Sequence, residues 1–234
     1  MIHSILEKSM DNSRDYLAGF ADLAGLTQDP GLRYGLVIAK RLDDQVIDSI
    51  DQGPTFSYFN YYHQVNSHLS LVIHSIGDQL KALGYASKVV EPSIREKNSG
   101  DEYYRSTLRT PISHKMIATR AGLGWIGKTD LFVSKKFGPR VRLVSLLTNY
   151  PLPVSGKTID RSRCGKCKVC VVNCPAQAAT GQLWDIYTDR DVFFDAHRCR
   201  DTCMALTRER LHRESALCGI CVSVCPAGKS NRDQ

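Results

Sequence analysis

The stretch that decides the fold of this chain reads Cys164-Gly-Lys-Cys167-Lys-Val-Cys170-Val-Val-Asn-Cys174-Pro175. A second run follows it and reads Cys218-Gly-Ile-Cys221-Val-Ser-Val-Cys225-Pro226. Three cysteines in one tight loop can ligate three corners of a four-iron, four-sulfur cubane, while the cysteine before the proline points to another cluster. The two runs together therefore predict two 4Fe-4S clusters.

The same spacing assigns the ligands of each cluster. The first cluster is expected to take three cysteines of the first run and the last cysteine of the second, namely Cys164, Cys167, Cys170 and Cys225. The second cluster is expected to take the cysteines that remain in the two runs, namely Cys174, Cys218 and Cys221. Its fourth thiolate would come from Cys199 or Cys203, which lie one helical turn apart.

Zinc and disulfide bonds account less well for these cysteines. Zinc is satisfied by C-x2-C pairs, and it gives no reason for the third cysteine of each run or for either Cys-Pro pair. A disulfide framework is typical of small secreted chains, whereas this chain has 234 residues and nine cysteines, which is an odd number. Iron–sulfur chemistry is the interpretation that the spacing favours.

The composition is that of an ordinary globular protein, with 42% hydrophobic and 24% charged residues. No run reaches the roughly 18 apolar residues that a membrane span needs. The start of the sequence lacks the apolar core of a signal peptide. We therefore expect a cytoplasmic protein that does not enter a membrane.

The positive charge of the chain is concentrated around the cysteines. The formal net charge is +7, but each oxidised cubane with four thiolates carries about −2, so two clusters lower the net charge to about +3. Six basic residues crowd the cysteine runs, namely Arg161, Arg163, Lys166, Lys168, Arg198 and Arg200. We interpret them as neutralising cluster charge in preference to contacting phosphate.

The periodicity before the cysteine runs predicts an α+β domain over residues 1–153, followed by a cluster domain over 154–234. Helical spacing of apolar residues predicts a long core helix over 58–83, and a proline at position 111 predicts a helix over 111–121. Strands are predicted over 34–39, 86–90, 131–134 and 141–147. A charge-rich loop is predicted after residue 90.

The segment Gly122-Leu-Gly124-Trp125-Ile-Gly127-Lys128-Thr129 matches two nucleotide-binding motifs, G-x-G-x-x-G and G-x-x-x-x-G-K-T. Both mechanisms need a strand before the loop and a helix after it, so that backbone amides and the helix dipole face phosphate. Here a predicted helix comes first and a predicted strand follows. The order therefore does not favour nucleotide hydrolysis.

The same segment carries a family resemblance. Ala121-Gly-Leu-Gly-Trp-Ile-Gly-Lys128, followed by the double cysteine motif, resembles the cobalamin-dependent epoxyqueuosine reductases, which act on tRNA. Phe137-Gly-Pro-Arg-Val-Arg-Leu143 and Thr148-Asn-Tyr-Pro-Leu152 are more similar to the reductive dehalogenases, a sister group with a corrinoid and two cubanes. The resemblance runs from about residue 108 onward. It implies a nitroreductase-like α+β domain that holds base-off cobalamin beside a ferredoxin-like module.

The resemblance also implies roles for particular residues. Cluster ligands carry over by position, whereas corrinoid contacts do not. The candidates for corrinoid contact are the motif residues Gly122, Gly124, Trp125, Gly127 and Lys128, although a sharp turn from helix to strand explains the glycines equally well. The resemblance favours Cys199 over Cys203 as the fourth ligand of the second cluster, because the family has a cysteine directly after a basic residue there.

The chain departs from epoxyqueuosine reductases at the proton donor. That family has an acidic residue three positions before the proline that opens the helix, and Leu108 occupies this position here. Dehalogenases use a tyrosine with a nearby cation, and candidates for such a donor are Tyr103, Tyr104, Arg105, Arg109 and His114. The sequence also has only nine residues after Cys225, where many relatives continue into a tRNA-binding region. We therefore expect that tRNA is not a partner.

The sequence thus leads to one leading hypothesis and two alternatives. The leading hypothesis is a reductase that receives electrons from a low-potential donor of the ferredoxin or flavodoxin type and passes them through two 4Fe-4S clusters to a corrinoid cobalt, which reduces a small molecule. The first alternative is an electron-transfer or corrinoid-activating protein without substrate chemistry. The second is epoxyqueuosine reduction in tRNA.

Overall fold

The computed structural model describes residues 1–10, 13–29, 31–93, 102–154 and 156–229. Most of the predicted charge-rich loop and the last residues of the sequence lie outside this set. Six strands are described: β1 Tyr16–Asp22, β2 Tyr34–Arg41, β3 Ser87–Val90, β4 Gly124–Ile126, β5 Phe132–Ser134 and β6 Val141–Thr148. Nine α-helices are described: α1 Ile2–Ser9, α2 Asp44–Asp48, α3 Phe56–Ala82, α4 Glu102–Thr107, α5 His114–Arg120, α6 Val169–Val172, α7 Arg190–Phe193, α8 Ala196–Leu211 and α9 Ile220–Ser223.

The described chain divides into two compact units, and neither is continuous in sequence. The sheet unit comprises Met1–Arg41, Val65–Leu123 and Arg142–Ile159. The cysteine unit comprises Leu42–Gln64, Gly124–Val141 and Asp160–Gln234. The predicted domains, 1–153 and 154–234, were contiguous, and their boundary stays a prediction.

The sheet unit is built on a four-stranded sheet in the order β1-β2-β6-β3. Strand β1 pairs antiparallel with β2, and β3 pairs antiparallel with β6. Four successive residues of β2, Leu36 to Ala39, have no exposed surface, so both faces of this strand are covered. The predicted strands over 34–39, 86–90 and 141–147 correspond to β2, β3 and β6.

Helix α3 supplies much of the apolar cover of the sheet unit. Leu69, Ile73, Ile76 and Leu80 are fully buried and recur at helical spacing. The long helix predicted from the periodicity is therefore present, and it begins and ends within two residues of the predicted bounds.

Helix α5 begins later than the sequence predicted. The prediction took Pro111 as the first helical residue, whereas the helix begins at His114. Ser113 is its N-cap, since the backbone of Ser113 is extended and its hydroxyl accepts a hydrogen bond from the amide of Lys115. A serine cap that satisfies a free amide outweighs the proline preference here.

The glycine motif forms a hairpin in the cysteine unit. Residues 124–126 form β4, which the sequence did not predict, and Trp125 pairs with Val133 of β5. The amide of Gly127 donates to the carbonyl of Leu131 and closes the turn. The loop therefore leads into a strand, so this segment lacks the helix N-terminus that a phosphate-binding loop requires.

Candidate metal centre

Four cysteine thiols of the cysteine unit form one group, which comprises Cys164, Cys167, Cys170 and Cys225. Burial raises the pKa of Cys170 to about 11, and the nearby thiols of Cys225, Cys164 and Cys167 raise it further. Burial likewise raises the pKa of Cys225, and Cys164 and Cys167 contribute to that shift. The grouping is the one that the sequence predicts for the first cluster.

A second group of thiols comprises Cys199 and Cys203 on α8, Cys221 on α9 and Cys218 just before α9. The sulfur atoms of Cys199 and Cys203 lie 3.9 Å apart, and the Cys203 thiol also hydrogen-bonds Cys218. Burial raises the pKa of Cys221, and the charges of Cys218 and Cys199 raise it further. These four thiols therefore share one environment, in which both candidates for the fourth ligand are present.

The position of Cys174 is defined by the apolar residues that it packs against. It lies half-buried against a small apolar core that includes Ala178, Trp184 and Phe193, and Cys199 packs against the same core. Cys203 is buried one turn farther along α8. The shared core associates Cys174 with Cys199, as the predicted second cluster requires, while the ligand assignment itself stays a prediction.

Both C-G-x-C turns depend on their glycines. Gly165 and Gly219 have positive φ angles of 54° and 89°, a backbone conformation that L side chains rarely adopt. At Gly219 a Cβ atom would also lie 2.3 Å from Ile50 Cδ1. The turns bring two cysteines of each run close together, and a larger residue at either glycine would strain that arrangement.

The hairpin formed by β4, β5 and the turn between them contacts both cysteine groups. The indole Nε1 of Trp125 donates to the sulfur of Cys164 at 3.4 Å. The ammonium of Lys128, only 3% exposed, donates to the carbonyls of Gly165 at 2.9 Å and Cys167 at 2.7 Å. These three hydrogen bonds fix the first cysteine turn, residues 164–167, against the hairpin.

The residue after this lysine reaches the other group. The side chain of Thr129, which is buried, hydrogen-bonds the thiol of Cys221. Two neighbouring residues of the G-K-T sequence, Lys128 and Thr129, therefore contact the two different cysteine groups. This contact pattern accounts for the lysine and threonine without a phosphate.

A buried arginine anchors the second cysteine run, and the sequence did not single it out. Arg140 is 1% exposed, and its guanidinium donates to Asp44 at 2.8 Å and to Asp48 at 2.6 Å. It also donates to the carbonyl of Ser223, which lies between Cys221 and Cys225. Its only sequence signal was its place in the dehalogenase-like stretch after Phe137.

The first two motif glycines pack against the chain itself. At Gly122, where φ is +72°, a Cβ atom would lie 2.6 Å from the carbonyl oxygen of Lys157. At Gly124 it would lie 2.1 Å from the carbonyl oxygen of Val133. Internal packing is thus sufficient to explain both residues, and their predicted contact with a corrinoid stays a prediction.

The proposed proton donors lie on and after α4. Tyr103 is exposed and Tyr104 is half-buried, and the half-buried Arg109 follows the helix. Leu108, at the position where the related family has an acid, adopts a left-handed φ of 53°. Its amide donates to the carbonyl of Tyr104 at 2.7 Å, which ends the helix.

His114 is committed to internal hydrogen bonds. Its Nδ1 lies 2.9 Å from Ser145 Oγ, and its Nε2 lies 2.9 Å from the carbonyl oxygen of Glu91. Burial lowers the pKa of His114 to about 4, so the ring is neutral at pH 7. The structure thus uses both ring nitrogens to join α5, β6 and the segment after β3.

The described residues lack two features, a site for a single metal ion and a membrane-spanning helix. They contain no group of three or more His, Cys, Asp or Glu side chains arranged to hold a single metal ion, whereas a cubane needs four cysteines around a larger body. Among the same residues we find no helix with the length and apolar character needed to cross a bilayer.

Comparison with known proteins supports the metal centre. Residues 163–228 match a family described as "4Fe-4S double cluster binding domain". The epoxyqueuosine reductase of Synechococcus sp. (strain RCC307) is 34% identical over 154 residues, which cover 65% of this chain and 44% of that protein. The enzyme of the same name from Pseudomonas aeruginosa is 42% identical over 71 residues, or 30% of this chain and 19% of the relative.

Solved structures show the same fold. A catabolic reductive dehalogenase superposes with a TM-score of 0.67 at 14% identity, covering 92% of this chain and 30% of that one. An epoxyqueuosine reductase crystallised with an epoxyqueuosine-modified tRNA stem loop superposes with a TM-score of 0.58 at 17% identity, covering 98% and 65%.

These comparisons confirm part of what the sequence predicted. The resemblance to epoxyqueuosine reductases and reductive dehalogenases is confirmed, as is a mixed α/β chain with a double 4Fe-4S domain. The chain spans less than half the length of the curated relatives cited, 44% and 19%. The tRNA stem loop bound to one structural relative stands against the expectation that tRNA is not a partner.

Proposed function

We propose that this protein is an iron–sulfur reductase that passes electrons through two 4Fe-4S clusters to a corrinoid, for reduction of a small molecule. The observation that carries the proposal is the hairpin that contacts both cysteine groups, with Lys128 on one cysteine turn and Thr129 on the thiol of Cys221. Two clusters whose cysteine groups are contacted by the same short hairpin would lie close together, as electron transfer between them requires.

The residues around the cysteines have distinct roles in this proposal. Trp125 donates a hydrogen bond to a sulfur of the first group, and such bonds stabilise the more negative, reduced state of a cluster. Lys128 places a buried positive charge beside the same turn. Both effects raise the reduction potential of the first cluster, which favours entry of an electron there.

The corrinoid part of the proposal is supported by the likeness to reductive dehalogenases, one of which is described as suggesting a mechanism for B12-dependent dehalogenation. When bound, a corrinoid supplies a low-valent metal for reductive chemistry, and the protein supplies geometry and protons. We place it in a nitroreductase-like α+β domain that extends over residues 1–153, near the 122–128 turn. For proton delivery we propose Tyr103 or Tyr104, assisted by Arg109, ahead of His114, whose ring nitrogens are both engaged.

An anaerobic titration of the reconstituted protein with cobalamin tests this proposal. The expected result is saturable binding with a change in the visible spectrum and no histidine-ligated signature in electron paramagnetic resonance. Full cluster content without corrinoid binding would contradict the proposal and would favour the alternative of an electron-transfer protein without substrate chemistry.

Epoxyqueuosine reduction in tRNA is a second candidate function, because the curated relatives carry that name at up to 42% identity. Leu108 opposes it, since leucine cannot donate a proton and general acid catalysis contributes about 10²–10⁴-fold. The variant Leu108→Asp tests this point. Aspartate tolerates the left-handed backbone at this position better than leucine does, so the change should not destabilise the fold.

The assay uses epoxyqueuosine-containing tRNA with a strong chemical reductant under anaerobic conditions. Our proposal predicts negligible turnover by the wild-type protein and a gain in Leu108→Asp. Leu108→Asn is the matched control, since it fits the same backbone without an acid. Rapid wild-type turnover would establish the tRNA function in place of ours.

A further inference from the structure

One face of the cysteine unit combines an exposed thiol with a concentration of positive charge. Cys167 is exposed, unlike the other cysteines of the described chain, which are half-buried or buried. Lys166 and Lys168 flank it and are also exposed. Residues 161–184 contain four lysine or arginine residues and no aspartate or glutamate. A cluster that Cys167 ligates would therefore lie close to a basic surface.

Backbone pairing brings exposed apolar residues to the same place. The amide of Ser162 donates to the carbonyl of Trp184 at 2.7 Å, and that of Ile186 donates to the carbonyl of Asp160 at 3.0 Å. This pairing places the segment that enters the first cysteine turn beside residues 183–187. Three side chains there are exposed: Leu183 at 41%, Ile186 at 42% and Tyr187 at 89%.

The side chain of Lys168 lies close to the segment that leads into residues 183–187. The Cε atom of Lys168 lies 3.9 Å from the position that a Cβ atom would occupy at Gly181, two residues before Leu183. Arg161 forms a backbone bridge with Asp185, a carboxylate that accepts hydrogen bonds from the Tyr187 amide and the Thr188 hydroxyl. The surface thus combines the exposed apolar side chains of residues 183–187 with the basic side chains around the exposed cysteine.

We propose that this surface docks the electron donor, a protein with an acidic face around its redox group. The donor face comprises Arg161, Lys166, Lys168, Leu183, Ile186 and Tyr187. Docking there delivers one electron to the cluster of Cys164, Cys167, Cys170 and Cys225. The donor is oxidised by one electron and the cluster is reduced by one, without transfer of a proton or breakage of a bond. This inference rests on the proposed electron-transfer function, and it does not require a corrinoid.

Two properties of the face favour an acidic protein over other occupants. Opposite charges steer diffusional encounter and accelerate association at low salt. Exposed aromatic and aliphatic side chains next to basic ones are typical of protein interfaces, which are enriched in tyrosine and arginine. A nucleic acid would use the cations and stack a base on Tyr187, but it would gain nothing from Leu183 and Ile186 or from proximity to an exposed cluster ligand.

The test measures cluster reduction by a flavodoxin with an acidic surface, fully reduced, in anaerobic stopped-flow experiments on the reconstituted protein without corrinoid or substrate. The variant Arg161→Glu/Lys166→Glu/Lys168→Glu reverses the charge of the donor face. The matched control Lys8→Glu/Lys88→Glu/Lys135→Glu makes the same charge change at exposed lysines elsewhere. Tyr187→Ala probes the apolar part. Excess dithionite, read by paramagnetic resonance, verifies that every variant holds both clusters.

We expect the donor-face variant to reduce the second-order rate constant at least about tenfold at low ionic strength, with the difference shrinking as salt is added. The control should stay within about twofold, and Tyr187→Ala should slow reduction at every salt concentration. The charge reversal should lower the midpoint potential of the first cluster by too little to account for the slower rate, because these three cations are exposed and solvent and salt screen their charge. Equal rates in the two triple variants would overturn the proposal, and so would a shift in potential that accounts for the slower rate. Loss of tRNA stem-loop binding with unchanged flavodoxin kinetics would assign the surface to nucleic acid instead.

Discussion

Polar side chains with little exposed surface have different hydrogen-bond partners in the two units of this protein. In the cysteine unit, Lys128, Thr129 and Arg140 are buried, and each makes at least one hydrogen bond to a cysteine-bearing loop. In the sheet unit, the buried Ser145 bonds the half-buried His114, whose Nε2 bonds the backbone carbonyl of Glu91, and these bonds join secondary-structure elements. A buried polar group needs a hydrogen-bond partner in either unit. In the cysteine unit such partners include the loops that carry the cysteines, whereas in the sheet unit they belong to the strands and helices of the scaffold.

This difference shows why function could be read from one unit and not from the other. The ligand positions of a cubane are fixed by covalent geometry and leave a short-range pattern in sequence. A proton donor or a corrinoid contact needs only a suitable side chain at the right place in space, and no local spacing marks it. Variants of the cysteine ligands and of these polar groups, taken from the largest expected effect to the smallest, test the contrast.

The largest effect is expected at the fourth ligand of the second cluster. We expect Cys199→Ala to hold about four irons per chain and Cys203→Ala about eight, since each cubane contains four irons. Cys199 shares the small core with Cys174, whereas Cys203 lies one turn farther along α8. Iron analysis after anaerobic reconstitution measures both. The opposite pattern would assign Cys203 as the ligand.

A smaller effect is expected at the buried lysine. Lys128→Met should weaken the first cysteine turn, because the carbonyls of Gly165 and Cys167 lose their donor, at about 1–3 kcal/mol for each. Urea unfolding of the reconstituted protein should show the loss, and the signal of the first cluster should be the one that changes. Lys135→Met is the control, since Lys135 is exposed. Equal behaviour of the two variants would contradict the assigned role.

The smallest effect concerns the sheet unit and depends on pH. His114 has a pKa of about 4 in the folded protein and about 6.5 when unfolded, so the unfolded state binds more protons between these values. Stability is therefore present above pH 6.5 and is lost as the pH falls. We expect the free energy of unfolding to drop by about 2 kcal/mol between pH 7 and pH 5.

The control for this prediction compares two substitutions. His114→Gln should remove most of the pH dependence, while His212→Asn, at an exposed histidine with left-handed backbone, should retain it. Urea unfolding followed by circular dichroism at each pH measures both slopes. Equal slopes for wild type and His114→Gln would show that this histidine is not the titrating group.

Sequence predicted the parts of the fold that depend on local pattern. The long helix α3 and strands β2, β3, β5 and β6 follow from periodicity, because each buries a regular set of apolar side chains. Strand β4 was missed, because two glycines in a five-residue stretch give no strand signal; its existence depends on pairing with β5. The start of α5 was misplaced because a serine cap and a proline compete for the same turn.

The candidate site was predictable to a similar extent. The cysteines were evident from their spacing. Lys128 was identified as a cofactor contact, whereas in the structure its ammonium donates to the carbonyls of Gly165 and Cys167. Arg140 could not be predicted, because its partners Asp44 and Ser223 are about 80–100 positions away in sequence. Contacts of that kind arise only from the tertiary fold.

The central claim is that each cysteine run supplies its proline-linked cysteine to the cluster of the other run. Iron analysis and Mössbauer spectroscopy of wild type and Cys225→Ala test it most directly. We predict about eight irons in two cubanes for the wild type, and about four in the variant, with the spectrum of the remaining cluster unchanged and Cys174 still required for it. Loss of both clusters, or loss of the cluster that depends on Cys218 and Cys221, would contradict the account.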